Sequence, residues 1–172
     1  MAWSGRATRA AALLLLLGLA AAAAAEGDGE RRPELLWVAL GGETFRLELA
    51  ADPETRRRGL SGRGAIPRGS GMLFVLPRPE LFAMVMRDCS EPIDLAFLDA
   101  EARVVAVYEM KPEPARRPRE TPFEYERRLR PYASGVPVQF AVETAGGRLR
   151  EVGLQVGDQL LIDAEALTRR AR

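Results

Sequence analysis

Arg87, Asp88 and Asp94 are the residues of this chain whose types and spacing could do chemistry together. The two aspartates flank Ser90-Glu91-Pro92, a short turn that would bring them within reach of each other on neighbouring antiparallel strands. A close pair of carboxylates can share one proton or bind a hard cation. With Arg87 alongside, the same cluster could instead hold an anion. The plainer reading gives Asp94 to backbone N–H groups at its strand entry, with Arg87 as its ion-pair partner. Tyr132 and Ser134 are further ligand-binding candidates, because they lie in a Gly- and Pro-bearing loop. A turn held by side-chain hydrogen bonds accounts for them equally well.

Two absences restrict the mechanism. The chain has no His, which removes imidazole bases, His-based metal sites and Ser-His-Asp or Cys-His arrangements. Its one cysteine, Cys89, can form no internal disulfide and no Cys-paired metal or redox motif. A nucleophilic thiol needs a depressed pKa and an acid–base partner, and Asp88 next door acts in the opposite direction. Neither a metal site nor a cofactor is expected.

Residues 1–25 read as a signal peptide. Arg6 and Arg9 form a positive start, and Ala10–Ala25 is an unbroken run of Ala, Leu and one Gly. That run is shorter than the roughly 20 residues of a spanning helix. The expectation is therefore an exported protein, periplasmic or extracellular, with an uncleaved membrane anchor as the alternative. Two of the 25 basic residues lie in this segment, which leaves 23 against 24 acidic ones. A mature domain of net charge −1 gives no electrostatic case for nucleic acid. A small molecule or an envelope protein is the expected partner.

The rest of the chain supplies elements to hold these residues. Residues 26–34 read as a flexible linker, 35–163 as a single all-β domain and 164–172 as a charged tail that frays. Residues 35–40 and 43–50 predict a hairpin around Gly41-Gly42. Asp52-Pro53-Glu54 predicts a short helix ended by Gly59, with Leu60 as its core contact. Strands are predicted over 72–76, 82–88, 93–98, 103–109, 136–143 and 159–163, the first broken by Pro77 to Pro79. Thr121-Pro122-Phe123-Glu124 is a capping box that opens a helix running to about Arg130. Arg148 to Val152 predicts a single helical turn before Gly153.

One ordered set of short motifs runs through these elements. It comprises Arg58-Gly59-Leu60, Gly71-Met72-Leu73-Phe74, Met86-Arg87-Asp88 and Pro92-Ile93-Asp94. Phe97 with Asp99, Tyr132 with Ser134, and Val156-Gly157-Asp158 complete it. From Phe45 to Leu161 this order and spacing resemble the bacterial and archaeal family known as domain of unknown function 192. The resemblance implies a compact antiparallel β sandwich or barrel with one or two short peripheral helices, and it brings no reaction. Where the family pattern looks like Trp-Met-Lys-Asn-Thr, this chain has Val85-Met86-Arg87-Asp88-Cys89, and its segment from Pro112 to Arg130 is longer than the family's usual connection.

Three functional readings follow. The preferred one is a non-catalytic binding or accessory module of the cell envelope. A second is a hydrolase-like enzyme using carboxylate acid–base chemistry at Asp88 and Asp94. A third is an interaction module docking through residues 111–130, where seven basic residues stand against four acidic ones.

Overall fold

Gly41-Gly42 folds the first two strands onto each other. In the computed structural model, which describes Met1 and residues 32–172, β1 (Leu35–Leu40) and β2 (Glu43–Ala50) pair antiparallel from Leu40↔Glu43 to Leu35↔Glu48. Both turn glycines have positive φ, 54° and 90°, as a two-residue hairpin loop requires. The expected signal segment after Met1, and the linker as far as residue 31, lie outside the described residues. Residues 32–172 form one compact unit.

Helix α1 (Pro53–Arg58) starts as the sequence predicts, with Asp52 Oδ1 accepting from the Thr55 amide at 2.9 Å. Gly59 ends it at φ 52° and leaves Leu60 buried in the core. The chain then returns as β3 (Ser70–Glu80), parallel to β2. This is the one parallel pair in an otherwise antiparallel sheet. A crossover carrying a helix brings the chain back to its starting end, which a hairpin cannot do.

The remaining elements are β4 (Ala83–Met84), β5 (Ile93–Leu98), β6 (Val104–Met110), α2 (Pro122–Arg128), β7 (Tyr132–Ala133), β8 (Val138–Ala145), α3 (Arg148–Glu151) and α4 (Ala164–Thr168). Six strands make one sheet in the order β1-β2-β3-β8-β5-β6, and β4 pairs with β7 in a small second sheet. The protein is all-β, and among the described residues it carries four short helices where one or two were expected. Among the described residues no helix is long and apolar enough to cross a membrane.

Strands β3, β8 and β5 are covered on both faces. Leu73, Val75, Ala96, Leu98, Phe140 and Val142 pack into one apolar cluster with Phe45, Leu47 and Leu149. Their alternate neighbours Met72, Phe74, Leu76, Ile93, Leu95, Phe97 and Ala141 pack into a second with Leu60, Met86 and Tyr132. Burial on both faces explains why the runs Met72–Leu76 and Ile93–Leu98 are continuously apolar rather than alternating.

Other departures have local causes. β3 runs through Pro77 and Pro79 to Glu80, because its pairing with β8 shifts register after Val75 and resumes at Glu80↔Val138. An irregular, exposed stretch needs no N–H from either proline. Of the strand expected over 82–88, two residues pair, since Asp88 takes a left-handed φ of 52° and turns the chain. The strand expected over 159–163 is reduced to a single bridge, Arg103↔Gln159. Asp163 instead caps α4, accepting from the Ala166 amide at 2.9 Å. The tail therefore docks through Leu167 and the bond from the Arg172 amide to Ala51 O, 2.9 Å.

Gly71 sets how closely β3 approaches β8, because a Cβ there would stand 2.0 Å from the carbonyl oxygen of Glu143. That neighbour is backbone in a central strand and cannot yield locally. Gly71→Ala should lower stability by roughly 2–3 kcal/mol in urea unfolding.

Candidate functional site

The cluster that the sequence singles out does not assemble. Asp94 is buried in β5 and spends its carboxylate on backbone, accepting from Gly147 N at 2.9 Å and Leu149 N at 2.8 Å. Burial pushes its pKa up against the pull of those two donors. Arg87 does not pair with it. One Arg87 guanidinium nitrogen binds Glu126 at 2.6 Å, and another donates to the Arg57 carbonyl. Asp88 turns toward α2, where the Tyr125 hydroxyl accepts from its amide at 3.0 Å and donates to its Oδ1 at 3.1 Å.

Tyr132 and Ser134 are structural anchors close to one another. The Tyr132 hydroxyl accepts from Lys111 N at 3.2 Å, and its ring packs edge-on against Tyr108. Ser134 Oγ accepts from Phe82 N at 3.1 Å and donates to Val136 O at 2.7 Å, while its amide donates to Phe82 O at 2.8 Å. Ser134 thereby clamps the backbone of Phe82, which is a wall of the groove described next.

Between α1 and the stretch from Phe82 to Cys89 lies a groove of about 370 Å³. Leu60, Phe82, Met84 and Val85 give it apolar walls, Arg56, Arg57, Arg58 and Arg87 stand along it, and Glu143 of β8 reaches it from the sheet. The volume falls at the lower end of the range for small-molecule sites. Glu143 is 5% exposed and has Met72 and Leu95 as its register neighbours. Its carboxyl makes no hydrogen bond or ion pair among the described residues, where every fully enclosed side-chain polar atom has a partner. Its carboxyl oxygens are therefore the ones that open to the groove.

Burial pushes the Glu143 pKa up to about 8, opposed only by the charge of Arg63. Arg63 cannot satisfy it, being held by both carboxylate oxygens of Glu48, one at 2.7 Å. Burial also pushes the Cys89 thiol up to about 11, with Glu143 and Asp88 adding to the shift and Arg87 opposing it. This thiol is no nucleophile near neutral pH. Among the described residues no group of three or more His, Cys, Asp or Glu side chains converges on one point.

Sequence reasoning passed over Glu143 because it stood as the last residue of a predicted strand. The local pattern carries no signal for it, since its same-parity neighbours are Gln139 and Ala141, whereas Val138, Phe140 and Val142 all have the opposite parity.

Fold and groove together define a small all-β protein whose sheet presents an unpaired, buried carboxyl to a half-open apolar groove. The chain belongs to the DUF192 family, described as "Uncharacterized ACR", which it matches over residues 36–162. Two solved structures share the fold. One is a candidate transcription regulator from Sinorhizobium meliloti 1021, at 22% identity and TM-score 0.60, covering 75% of this chain and 92% of that one. The other is a protein of unknown function from Novosphingobium aromaticivorans DSM 12444, at 22% identity and TM-score 0.61, covering 74% and 85%. No curated protein matches the chain.

Two measurements check this assignment of roles. Asp94→Ala strands one buried and one half-buried amide donor and should lower stability by roughly 2–4 kcal/mol, whereas a loss below about 0.5 kcal/mol would contradict an anchoring role. Glu143 has the reverse signature. Because its folded-state pKa is raised from 4.5 to about 8, the stability it contributes is complete below pH 4.5 and is lost as pH rises through about 8. Glu143→Gln should cancel that loss, making the variant more stable than wild type at pH 9 by on the order of a few kcal/mol. The two proteins should differ little at pH 4.5 when urea unfolding is followed across pH.

Proposed function

We propose that this chain is an exported, non-catalytic binding module of the cell envelope, with a small ligand seated in the groove over Glu143. The observation that carries the reading is the unpaired Glu143 carboxyl. A polar group in low dielectric is costly without a partner, and every other candidate side chain has found one within the protein. A bound molecule would supply what the fold withholds.

The same bonding pattern argues against catalysis. Asp94 is committed to α3 and Asp88 to Tyr125, so no carboxylate pair faces a common substrate atom. Cys89 lacks a base. Transcription regulation, the candidate role of the Sinorhizobium protein, is not carried over, since a mature domain of net charge −1 has no electrostatic hold on DNA. Export rests on the charged start and apolar run of residues 1–25, with a retained membrane anchor as its alternative.

Docking through residues 111–130 is a second reading, favoured by Phe123, which stands 69% exposed on α2 beneath the Arg127 guanidinium. In that case the partner is an envelope protein. Part of the segment's charge is already neutralised internally, as in the pair of Arg128 with Glu120 at 2.6 Å.

One preparation tests both halves of the proposal. The full chain is expressed in a bacterium with an envelope, recovered by fractionation, and its N-terminus sequenced. Recovery outside the cytoplasm with a start near residue 26 is expected, and cytoplasmic protein retaining Met1 would overturn export. Thermal unfolding is then followed against sugars, peptidoglycan fragments, nucleotides, divalent metals and organic anions. A ligand at 100 times its Kd stabilises by about 2.7 kcal/mol, a shift of several degrees that should vanish in Glu143→Ala. No shift with any class would end the small-ligand reading in favour of the protein-docking one.

A further inference from the structure

Resting on the binding reading above, we infer that the groove selects a small organic anion with a short apolar body, held by Arg57 and Glu143. The walls define the body. Leu60, Phe82, Met84 and Val85 offer only apolar surface, enough to take a chain of a few carbons.

Charge defines the head. Four arginines line the groove against one acidic residue, Glu143. Arg58 pairs with Glu54 at 3.8 Å, and Arg87 with Glu126 at 2.6 Å. Arg56 is spent on the backbone oxygens of Ala51, Val75 and Arg172, at 2.7, 3.0 and 2.5 Å. Arg57 has no acidic partner among the described residues and stands at the exposed rim. A guanidinium there attracts a carboxylate or similar oxyanion and repels an ammonium.

Glu143 completes the selection. The groups that face it are Arg63, already held by Glu48, and Cys89, whose thiol stays neutral below about pH 11. Its register neighbours on β3 and β5, Met72 and Leu95, carry no charge. With its own pKa near 8 it is a neutral acid at pH 7, able to donate a hydrogen bond to an anion rather than repel it. Above that pH it becomes a second negative charge in the same groove.

The test uses three probes with one body and different heads: hexanoate, hexanol and hexylamine, titrated by calorimetry into the envelope-recovered protein. Hexanoate should bind at pH 6.5 in preference to the other two and about tenfold more weakly at pH 9, where a group of pKa 8 is mostly ionised. Glu143→Gln should keep the pH 6.5 affinity and abolish the pH dependence, because the amide mimics the neutral acid. Arg57→Gln, an exposed change that leaves the core intact, should weaken hexanoate tenfold or more. Unfolding midpoints of both variants establish that they fold. Preference for hexylamine, with affinity that rises with pH and disappears in Glu143→Gln, would overturn the anion assignment and leave the binding module standing. Hexanoate binding unchanged by pH and by both variants would equally overturn it. If no probe binds while another class in the broader panel shifts the midpoint, this inference fails and the proposed function survives. If neither assay responds, both fail.

Discussion

The double pairing of β8, with β3 on one side and β5 on the other, is the constraint on which the rest of the structure depends. It buries Phe140 and Val142 against one apolar cluster and Ala141 against the other, so neither face of the central sheet is left to water. Gly71 lets β3 come close to the Glu143 backbone, and Asp94 on β5 receives the amides of Gly147 and Leu149 as the chain leaves β8. Close approach on one side and two charge-assisted hydrogen bonds on the other hold the same strand. These bonds are stronger than neutral ones and fix where α3 begins.

Against that background Glu143 is an anomaly with a physical meaning. It sits in the strand most strongly held and carries the group least suited to the position. Its environment supplies burial without a donor, so the proton supplies what a partner would. A protein that needed only a core would place Val or Met there. Strongly perturbed groups beside clefts are where binding and catalysis concentrate.

Arg87 and Asp88 both have partners in α2. Arg87 reaches Glu126, and Asp88 shares two hydrogen bonds with the Tyr125 hydroxyl. Charge and hydrogen-bonding capacity thus fasten α2 at the edge of the groove. Arg87 also donates to the Arg57 carbonyl, which joins α1 to the same assembly. Ser134 acts likewise one step away, by fixing the backbone of Phe82.

Local chemistry was legible in the sequence wherever one short segment decides the outcome. The Gly41-Gly42 hairpin, the Asp52 and Thr121 caps and the strand Ile93–Leu98 depend on neighbours a few residues away, and the DUF192 motifs identified family and fold class. The backbone-anchoring role of Asp94 was foreseeable too, because a lone carboxylate at a strand entry answers free amides. What only tertiary structure decided involves distant partners: the parallel return of β3, the turn of Arg87 toward α2 rather than Asp94, and the docking of the tail on Ala51. Above all it decided the isolation of Glu143. A strand's alternation tells which side a residue faces but not whether that side is filled, and neither Met72 nor Leu95 nor the arginines of α1 are near Glu143 in the chain. Burial and desolvation are properties of the assembled neighbours, so the raised pKa of Glu143 carried no local signal.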